Sequence, residues 1–259
     1  MEFHSAGDRP SHSSNATGAE ANFVPGGSYN EDKRTQPFAS VKPARDIELF
    51  DGSTLLGWKI HSRNGEAAAT TWSVVPGLPS YIHCSGTPWG YLQTAHRYDN
   101  YRLTLEWRWS GEPLPGADGA PGVRNSGIFI HTQEVPAIWP RGIEAQLKEG
   151  YAGDFYITSV DVVELYYIQK RAAEAAGSTA EAVRYAKGIR VVPKAGPSNE
   201  KPIGEWNTYE ITCRADTIEL KVNGVVQNFI TGVSVQHGHI GLQSEGAPID
   251  FRNITLHAL

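Results

Sequence analysis

The chain of 259 residues carries a net charge of −5 and 40% hydrophobic residues, which is typical of a globular protein with a substantial core. No basic run supplies the concentrated positive patch that nucleic acid binding requires, and no apolar run approaches the ~20 residues of a membrane span. The sequence therefore predicts a protein with neither a nucleic acid partner nor a membrane-spanning helix.

The first 45 residues differ in composition from the rest of the chain. They are rich in Gly, Ser, Pro, Asn and charge and contain few large apolar residues, which predicts a disordered or loosely attached arm over residues 1–45. Residues 46–259 are then expected to form a single domain. The start of the chain lacks the apolar core of a signal peptide. We expect a periplasmic or secreted protein whose signal is absent from this sequence, with a cytoplasmic protein as the alternative.

Cys84 and Cys213 are the two cysteines of the sequence. They lie too far apart along the chain to form a compact metal motif. They either pair in an oxidising compartment or remain as buried thiols, and the sequence leaves both alternatives open.

From Ile47 the chain reads as short strands separated by turn signals, and the clearest strand is Tyr101–Trp109. Aromatic and Leu residues alternate there with polar ones over nine positions, which predicts one buried and one polar face. Glu106 and Arg108 lie on the polar side of this strand. They stand beside Glu144 if the two strands are neighbours, and otherwise form an exposed ion pair of little energetic value.

The segment 143–148 shows the same alternation. Its apolar side chains fall on odd positions, so Glu144, Gln146 and Lys148 share the opposite face of a strand. Glu144 and Gln146 are then separated by roughly 7 Å on one surface. This face is either the solvated side of a sheet or a place where a carboxylate transfers a proton beside a ligand held by an amide.

A long loop rich in Gly, Pro, Ala and Asp, residues 111–122, leads into Arg124-Asn125-Ser126-Gly127. Long loops in compact domains often form the rims of functional sites. Gly127 lets backbone or a ligand approach the strand closely. The sequence therefore predicts a functional rim next to the strand that follows.

The rest of the chain completes a β pattern with one interruption. Residues 169–187 are rich in Ala and charge and predict a short helical insertion. Asn223-Gly224 is a strong hairpin signal, and a change of apolar phase predicts a bulge near Arg252-Asn253. Ten to fourteen strands with one helical insertion indicate an all-β, two-sheet antiparallel sandwich.

Six motifs, taken in chain order, carry a resemblance to a known family. They are Glu48-Leu49-Phe50-Asp51-Gly52 with Gly57-Trp58, Asn125-Ser126-Gly127, Ile143-Glu144-Ala145-Gln146-Leu147, Gly204-Glu205-Trp206-Asn207, Val222-Asn223-Gly224, and Gly241-Leu242-Gln243 with Phe251-Arg252-Asn253-Ile254. Together they resemble the 3-keto-disaccharide hydrolase family, formerly called a domain of unknown function, from about Ile47 to Leu259. The loop at 111–122 and the helical insertion depart from the family pattern.

The resemblance implies a concanavalin A-like or laminin G-like jelly roll and an exported bacterial protein. It also implies an enzyme acting on glycosides that carry a ketone at sugar carbon 3. The ketone acidifies the hydrogen on C2, so a base removes it, the substituent at C1 leaves, and water adds back. Such a site needs a base near C2, an electrophile near the enolate oxygen and a proton source for the leaving group.

Under that scheme Glu144 is the expected general base, Arg124 stabilises the enolate, and Glu106 is a second carboxylate acting as acid or metal ligand. The residues expected to contact the substrate are Gln146, Asn125, His131, Trp139, Tyr151 and Trp206. His131 is either a ligand or a packed residue, and Trp206 either packs structurally or lines the cleft. A divalent metal ion is an open alternative for which Glu106, His131 and Glu144 are the candidate ligands.

Three other classes compete with this interpretation. A non-catalytic carbohydrate-binding module needs the aromatic residues and Asn125 but no base. A structural or protein-interaction domain would show no pocket on the polar strand face. A conventional glycosidase needs two matched carboxyl groups, for which only Glu106 and Glu144 are candidates.

Overall fold

The structure is a computed structural model that describes residues 39–63, 70–115, 120, 122–133, 137–175 and 190–259. These residues form one helix, α1 (Val163–Ala175), and fifteen strands. The strands are β1 (Ile47–Glu48), β2 (Trp58–Ser62), β3 (Trp72–Val75), β4 (Tyr81–Cys84), β5 (Gly90–Thr94), β6 (Tyr101–Trp109), β7 (Gly127–Thr132), β8 (Gly142–Gln146), β9 (Phe155–Thr158), β10 (Val191–Val192), β11 (Asn207–Arg214), β12 (Thr217–Val222), β13 (Val225–Ile230), β14 (His239–Ser244) and β15 (Ile249–Ala258).

The strands form two antiparallel sheets. The eight-stranded sheet has the order β13-β12-β11-β6-β15-β4-β3, with β1 paired to β15. The seven-stranded sheet has the order β10-β9-β8-β7-β14-β5-β2. The expected all-β, two-sheet antiparallel sandwich with a helical insertion is therefore confirmed.

The core lies between the sheets because each long strand turns its apolar face inward. In β6 the five odd-numbered residues are at most 3% exposed, while the residues between them are half-buried or exposed. In β8 the inward residues are Ile143 and Ala145. The alternation read from the sequence thus fixes which side of each strand faces solvent or a ligand.

Two local predictions are confirmed in the eight-stranded sheet. Asn223 and Gly224 form a two-residue turn between β12 and β13 with φ angles of 49° and 79°, the left-handed geometry that this hairpin requires. The register of β15 against β6 shifts between Arg252 and Thr255, and Asn253 takes a φ of 53° at this bulge.

The helical insertion begins at Val163, ahead of the predicted start at Gln169. The first turn reads like a strand because it contains Val163, Tyr166 and Tyr167, residues that favour β structure. Tertiary contacts override that preference, since the Glu164 carboxylate accepts hydrogen bonds from both the N–H and the hydroxyl of Thr231. No helix in the described part of the chain is long and apolar enough to cross a membrane.

Two predicted features fall largely outside the described residues. These are the N-terminal arm, of which residues 1–38 are not described, and the later part of the helical insertion at 176–189. Val41, which lies within the predicted arm, already pairs with Tyr98 of the sandwich.

Both cysteines are free thiols buried in the core. They belong to β4 and β11 of the eight-stranded sheet, and β15 and β6 lie between those strands. Burial raises the pKa of each thiol to about 12. Of the two alternatives left open by the sequence, the structure therefore has buried thiols and no disulfide.

Candidate functional site

The seven-stranded sheet has an outer side, turned away from the core, that is polar yet largely buried. On five consecutive strands the side chains between the core-facing residues point to this side. We call this surface the polar face and define it by His61, Tyr91, Gln93, Asn125, Phe129, Glu144, Gln146 and Gln243. Most of its members are less than 9% exposed, so this surface is not the solvated side of a sheet that composition alone would suggest.

Glu144 lies on β8, at one side of the polar face, and its side chain extends towards β7. It pairs with Phe129 of β7, and only 6% of it is exposed. Its carboxyl group leans over Gly127, where a Cβ atom would lie 2.6 Å from Oε1 of Glu144. The absence of a side chain at Gly127 therefore creates the place that this carboxylate occupies.

Gln146 lies on the same face as Glu144, but its side chain binds the backbone at the end of its own strand. Its Oε1 accepts hydrogen bonds from the backbone N–H groups of Leu147 and Lys148, at 2.8 and 2.7 Å. These bonds fix the chain where β8 ends. The alternation placed Gln146 on the correct face, and the structure adds that its amide oxygen is already engaged by the backbone.

Two other amides on the polar face have unused hydrogen-bonding capacity. Both Oε1 and Nε2 of Gln243 are buried without a hydrogen-bond partner, and so is Oδ1 of Asn125. Gln243 follows Leu242, which pairs with Ile128, so Gln243 lies beside Gly127 and the Glu144 carboxylate. Buried amide atoms usually find partners, so unused ones at one place indicate a site for a polar ligand.

Aromatic rings lie along the same surface. Tyr91 stacks on the His61 ring at 4.7 Å and meets the edge of Phe129 at 5.4 Å. The Phe129 ring lies above Gly241, where a Cβ atom would meet it at 3.2 Å. Burial lowers the pKa of His61 from its ordinary value, which favours the neutral imidazole.

Two tryptophans meet over one end of the polar face. Trp89 keeps the outward phase of Tyr91, while Trp139 belongs to the loop joining β7 to β8 at the opposite end of these strands. Their ring centroids are 6.2 Å apart. Trp139 therefore reaches Trp89 from a loop at the other end of the strands, and both rings remain partly exposed.

Arg124 anchors the rim at the end of β8. Its guanidinium donates to the carbonyl of Gly111 at 3.2 Å and contacts the carboxylates of Glu112 and Glu149 at 2.9 and 3.2 Å. The same residue lines a small cavity of about 170 Å³ together with Lys148. These contacts tie the predicted rim loop to the strand that carries Glu144.

Tyr151 lies on the turn after β8 and is half exposed. The ammonium groups of Lys148 and Lys194 each lie 5.0 Å from the centre of its ring. The ring is therefore engaged by two cations beyond the end of the polar face.

The structure corrects the expectation that Glu106 stands beside Glu144. The strands β6 and β8 belong to different sheets, and both carboxylates point away from the core, so the whole sandwich separates them. Glu106 accepts a hydrogen bond of 2.5 Å from Arg252. The matched carboxyl pair of a conventional glycosidase is therefore not formed by these two residues.

Trp206 also lies on the outer side of the eight-stranded sheet. Its ring is contacted by the guanidinium of Arg252 at 3.9 Å and that of Arg108 at 4.5 Å. This places it across the sandwich from the polar face, where it packs between cations and does not join the cleft near Glu144.

His131 turns inward at an irregular point of β7. Its φ is 52°, its Nδ1 contacts the carbonyl of Val235 at 3.1 Å, and its ring meets the edge of Tyr101 in the core. Burial lowers the pKa of His131 to about 4. His131 is thus a packed, neutral residue, and the set of Glu106, His131 and Glu144 does not converge on a metal site.

No group of three or more His, Cys, Asp or Glu side chains within the described ranges is arranged to hold a metal ion. Glu106, His131 and Glu144 therefore do not form the divalent metal site that the sequence left open.

Several residues of the polar face were missed by sequence reasoning. Gln243 and Glu245 alternate with Ile240, Leu242 and Ser244, so a polar stripe was readable in β14 and just beyond it. The contribution of Tyr91 was not readable, because it depends on β5 pairing with β14, a strand almost 150 residues later in the chain.

The structure is a two-sheet antiparallel jelly roll in which the outer side of one sheet is polar, buried and lined by aromatic rings. The sequence profile of the 3-keto-alpha-glucoside-1,2-lyase-like domain matches residues 45–257, and the chain belongs to that family. This confirms the family expected from the six motifs.

Relatives agree with this assignment. The chain is 25% identical over 185 residues to a 3-keto-disaccharide hydrolase of Bacteroides thetaiotaomicron, covering 66% of this chain and 53% of the relative. The chain thus spans about half the length of that relative. A candidate glycosyl hydrolase of Parabacteroides distasonis superposes with a TM-score of 0.54 and 18% identity over 83% of this chain and 94% of the other. At that identity the similarity establishes the jelly-roll fold alone.

Proposed function

We propose that the protein cleaves 3-keto-glycosides by removing the proton on C2, eliminating the substituent at C1 and adding water back. The observation that carries this proposal is the position of Glu144. Its carboxylate lies over Gly127 on a buried polar face, where Asn125 and Gln243 carry amide atoms that the fold leaves without hydrogen bonds. A base held on a rigid strand beside polar groups for a ligand suits proton abstraction next to a carbonyl.

The chemistry balances without any group beyond the chain and water. Glu144 accepts the proton from C2, and the electron pair of that bond forms the enolate with the C3 ketone. The enolate re-forms the ketone as the bond between C1 and the leaving oxygen breaks, and that oxygen takes up the proton held by Glu144. Water then adds at C1 across the new double bond, and C2 regains a proton, so the net reaction is hydrolysis.

The surrounding residues supply the contacts that a sugar needs. The flat faces of Trp89 and Trp139 match the C–H faces of a pyranose ring. Oδ1 of Asn125, which has no partner in the fold, accepts a hydrogen bond from a sugar hydroxyl. Arg124 acts at the rim by holding the loop against β8, because its donors already contact Gly111, Glu112 and Glu149.

The test compares 3-keto-glycosides with their unoxidised parents. Wild-type protein should release the aglycone from the keto forms only. Glu144→Gln should lower kcat on the keto forms by about 1,000-fold, within the range for loss of a general base. Glu106→Gln is the matched control across the sandwich and should keep wild-type kcat. Equal turnover of keto and parent glycosides, or full activity of Glu144→Gln, would refute the proposal. Each assay is repeated with a chelator, so that any part played by a divalent cation is measured directly.

A second candidate function is a non-catalytic carbohydrate-binding module, which the meeting of Trp89 and Trp139 over the polar face favours. Such a module would bind parent and keto glycosides alike and turn over neither. Calorimetric titration of wild type and Glu144→Gln separates the two functions. A binder keeps its affinity in both proteins and shows no aglycone release, whereas the enzyme shows release in the wild type alone.

A further inference from the structure

Gln243 is the one described residue with two buried side-chain polar atoms that lack a hydrogen-bond partner. We propose that it holds the reacting carbonyl of the substrate. In this assignment Nε2–H donates to the C3 oxygen, and Oε1 accepts from an adjacent sugar hydroxyl. The inference rests on the proposed function and adds a catalytic residue to it, since the amide contacts the oxygen on which enolate charge develops.

The position of Gln243 supports this role. The residue pairs with Tyr91 on one side and lies beside Gly127 on the other, because its neighbour Leu242 pairs with Ile128. Gly127 is the residue over which the Glu144 carboxyl leans. The base and the amide therefore approach Gly127 from the strands on either side of β7, as C2 and the C3 carbonyl are next to each other in the sugar.

The scaffold around Gln243 is fixed. The hydroxyl of Ser126 donates to the Gln243 backbone carbonyl at 2.8 Å and ties β14 to the residue before Gly127. Gln243 itself is 0% exposed, so neighbouring groups hold its side chain in place. A donor held in place before the reaction stabilises developing charge more effectively than one that must reorganise.

A comparison of the amides on this surface shows that Gln243 does not serve the fold. Gln146 accepts from two backbone N–H groups, and Nε2 of Gln93 donates to the hydroxyl of Thr132 at 3.2 Å. Gln243 makes no such bond. An unsatisfied buried amide destabilises a protein, and an apolar residue of similar size would pack there without that penalty. Retention of an amide at this position is explained by a ligand that supplies the missing partners.

The chemistry of an amide matches the proposed intermediate. Its N–H donor and C=O acceptor sit side by side, as do a carbonyl and a neighbouring hydroxyl on a keto sugar. When Glu144 removes the C2 proton, negative charge moves to the C3 oxygen and strengthens the hydrogen bond from Nε2–H. The contact is therefore stronger in the transition state than in the bound substrate, which is the condition for raising kcat.

The experiment measures kcat, KM and thermal stability for Gln243→Glu and Gln243→Leu on a 3-keto-glucoside. Both variants should lower kcat by about 100-fold, the scale for loss of one donor to an oxyanion. Gln243→Glu keeps the shape but replaces the donor by a carboxylate, so shape alone cannot rescue it. Gln243→Leu should raise Tm by about 2–4 °C, because the unsatisfied amide is removed. Gln146→Leu is the stability control and should lower Tm, since that amide oxygen is used by the fold.

The outcomes separate this inference from the proposed function. If wild type cleaves the keto sugar and the Gln243 variants keep its kcat, the assignment of Gln243 is overturned and the proposed function stands. If kcat falls only as far as Tm and the folded fraction fall, Gln243 has a structural role and the assignment is again overturned. If wild type cleaves no 3-keto-glycoside, the proposed function fails and the role of Gln243 fails with it.

Discussion

The two outer faces of the sandwich use similar residues for different ends. On the eight-stranded sheet the charges pair among themselves: Arg252 with Glu106 at 2.5 Å, and Arg108 with Asp250 at 2.9 Å. Trp206 lies against both guanidinium groups. Every one of these side chains finds its partner within the protein, so this face works as scaffold.

The polar face of the seven-stranded sheet differs in two respects. Gly127 and Gly241 leave room in which the Glu144 carboxyl and the Phe129 ring lie over the sheet. Polar atoms of Gln243 are left without partners in the fold. Both sheets contain alternating strands, so alternation alone does not identify a site. The space above the two glycines and the polar atoms without hydrogen bonds distinguish the polar face.

The largest predicted effect tests whether the outer side of the eight-stranded sheet is purely scaffold. Asp250 is 1% exposed and contacts both Arg108 and His83, the latter at 2.7 Å. Asp250→Ala should lower the free energy of unfolding by about 3–5 kcal/mol, the scale for losing two hydrogen bonds to a buried carboxylate. Denaturant unfolding measures this loss. Activity per folded molecule should stay at the wild-type level, and a selective loss of kcat would show that this face takes part in the reaction.

The next effect concerns His131, which belongs to a strand of the polar face but turns into the core. Its pKa is about 4 in the folded protein against an ordinary value of 6.5, so the unfolded chain binds the proton first as pH falls. The free energy of unfolding is therefore unaffected by this group above pH 6.5. It falls by up to about 3 kcal/mol as the pH drops from 6.5 towards 4. His131→Asn tolerates the left-handed backbone and lacks this titration.

Denaturant unfolding of wild type and His131→Asn between pH 7 and about pH 4 measures the difference. Wild type should lose more stability than the variant across that interval. Parallel pH profiles of stability for the two proteins would contradict the burial of a neutral imidazole at this position.

The smallest of the three effects tests the room at Gly127. A Cβ there would lie 2.6 Å from Oε1 of Glu144, so Gly127→Ala must displace the carboxylate. We expect kcat to fall by about 100-fold, because misplacing a catalytic group by about 1 Å costs on that order, with a loss of about 1–3 kcal/mol in stability from overpacking. Gly196→Ala is the control, since no atom lies within 4 Å of its Cβ position. An unchanged kcat in Gly127→Ala would show that catalysis does not depend on the position of the Glu144 carboxylate.

Local chemistry was predictable where it depends on neighbouring residues. The turn at Asn223-Gly224 and the bulge after Arg252 follow from backbone preferences and apolar phase, and both are confirmed. The helix was expected too late in the chain, because the contact of Glu164 with Thr231 outweighs the β preference of its first turn. The grouping of Glu106 with Glu144 failed because it assumed a strand pairing that the chain does not form.

The class of fold, the family and the side of β8 on which Glu144 lies were predictable from the sequence, since they depend on period-two alternation and on motifs that are local in the chain. Tertiary structure alone decided which residues accompany Glu144. It brought Gln243 beside Gly127, carried Trp139 over to Trp89 and sent Glu106 to the other side of the sandwich. The physical reason is that strand order and register are settled by burial of the whole core, to which residues far apart in sequence contribute together.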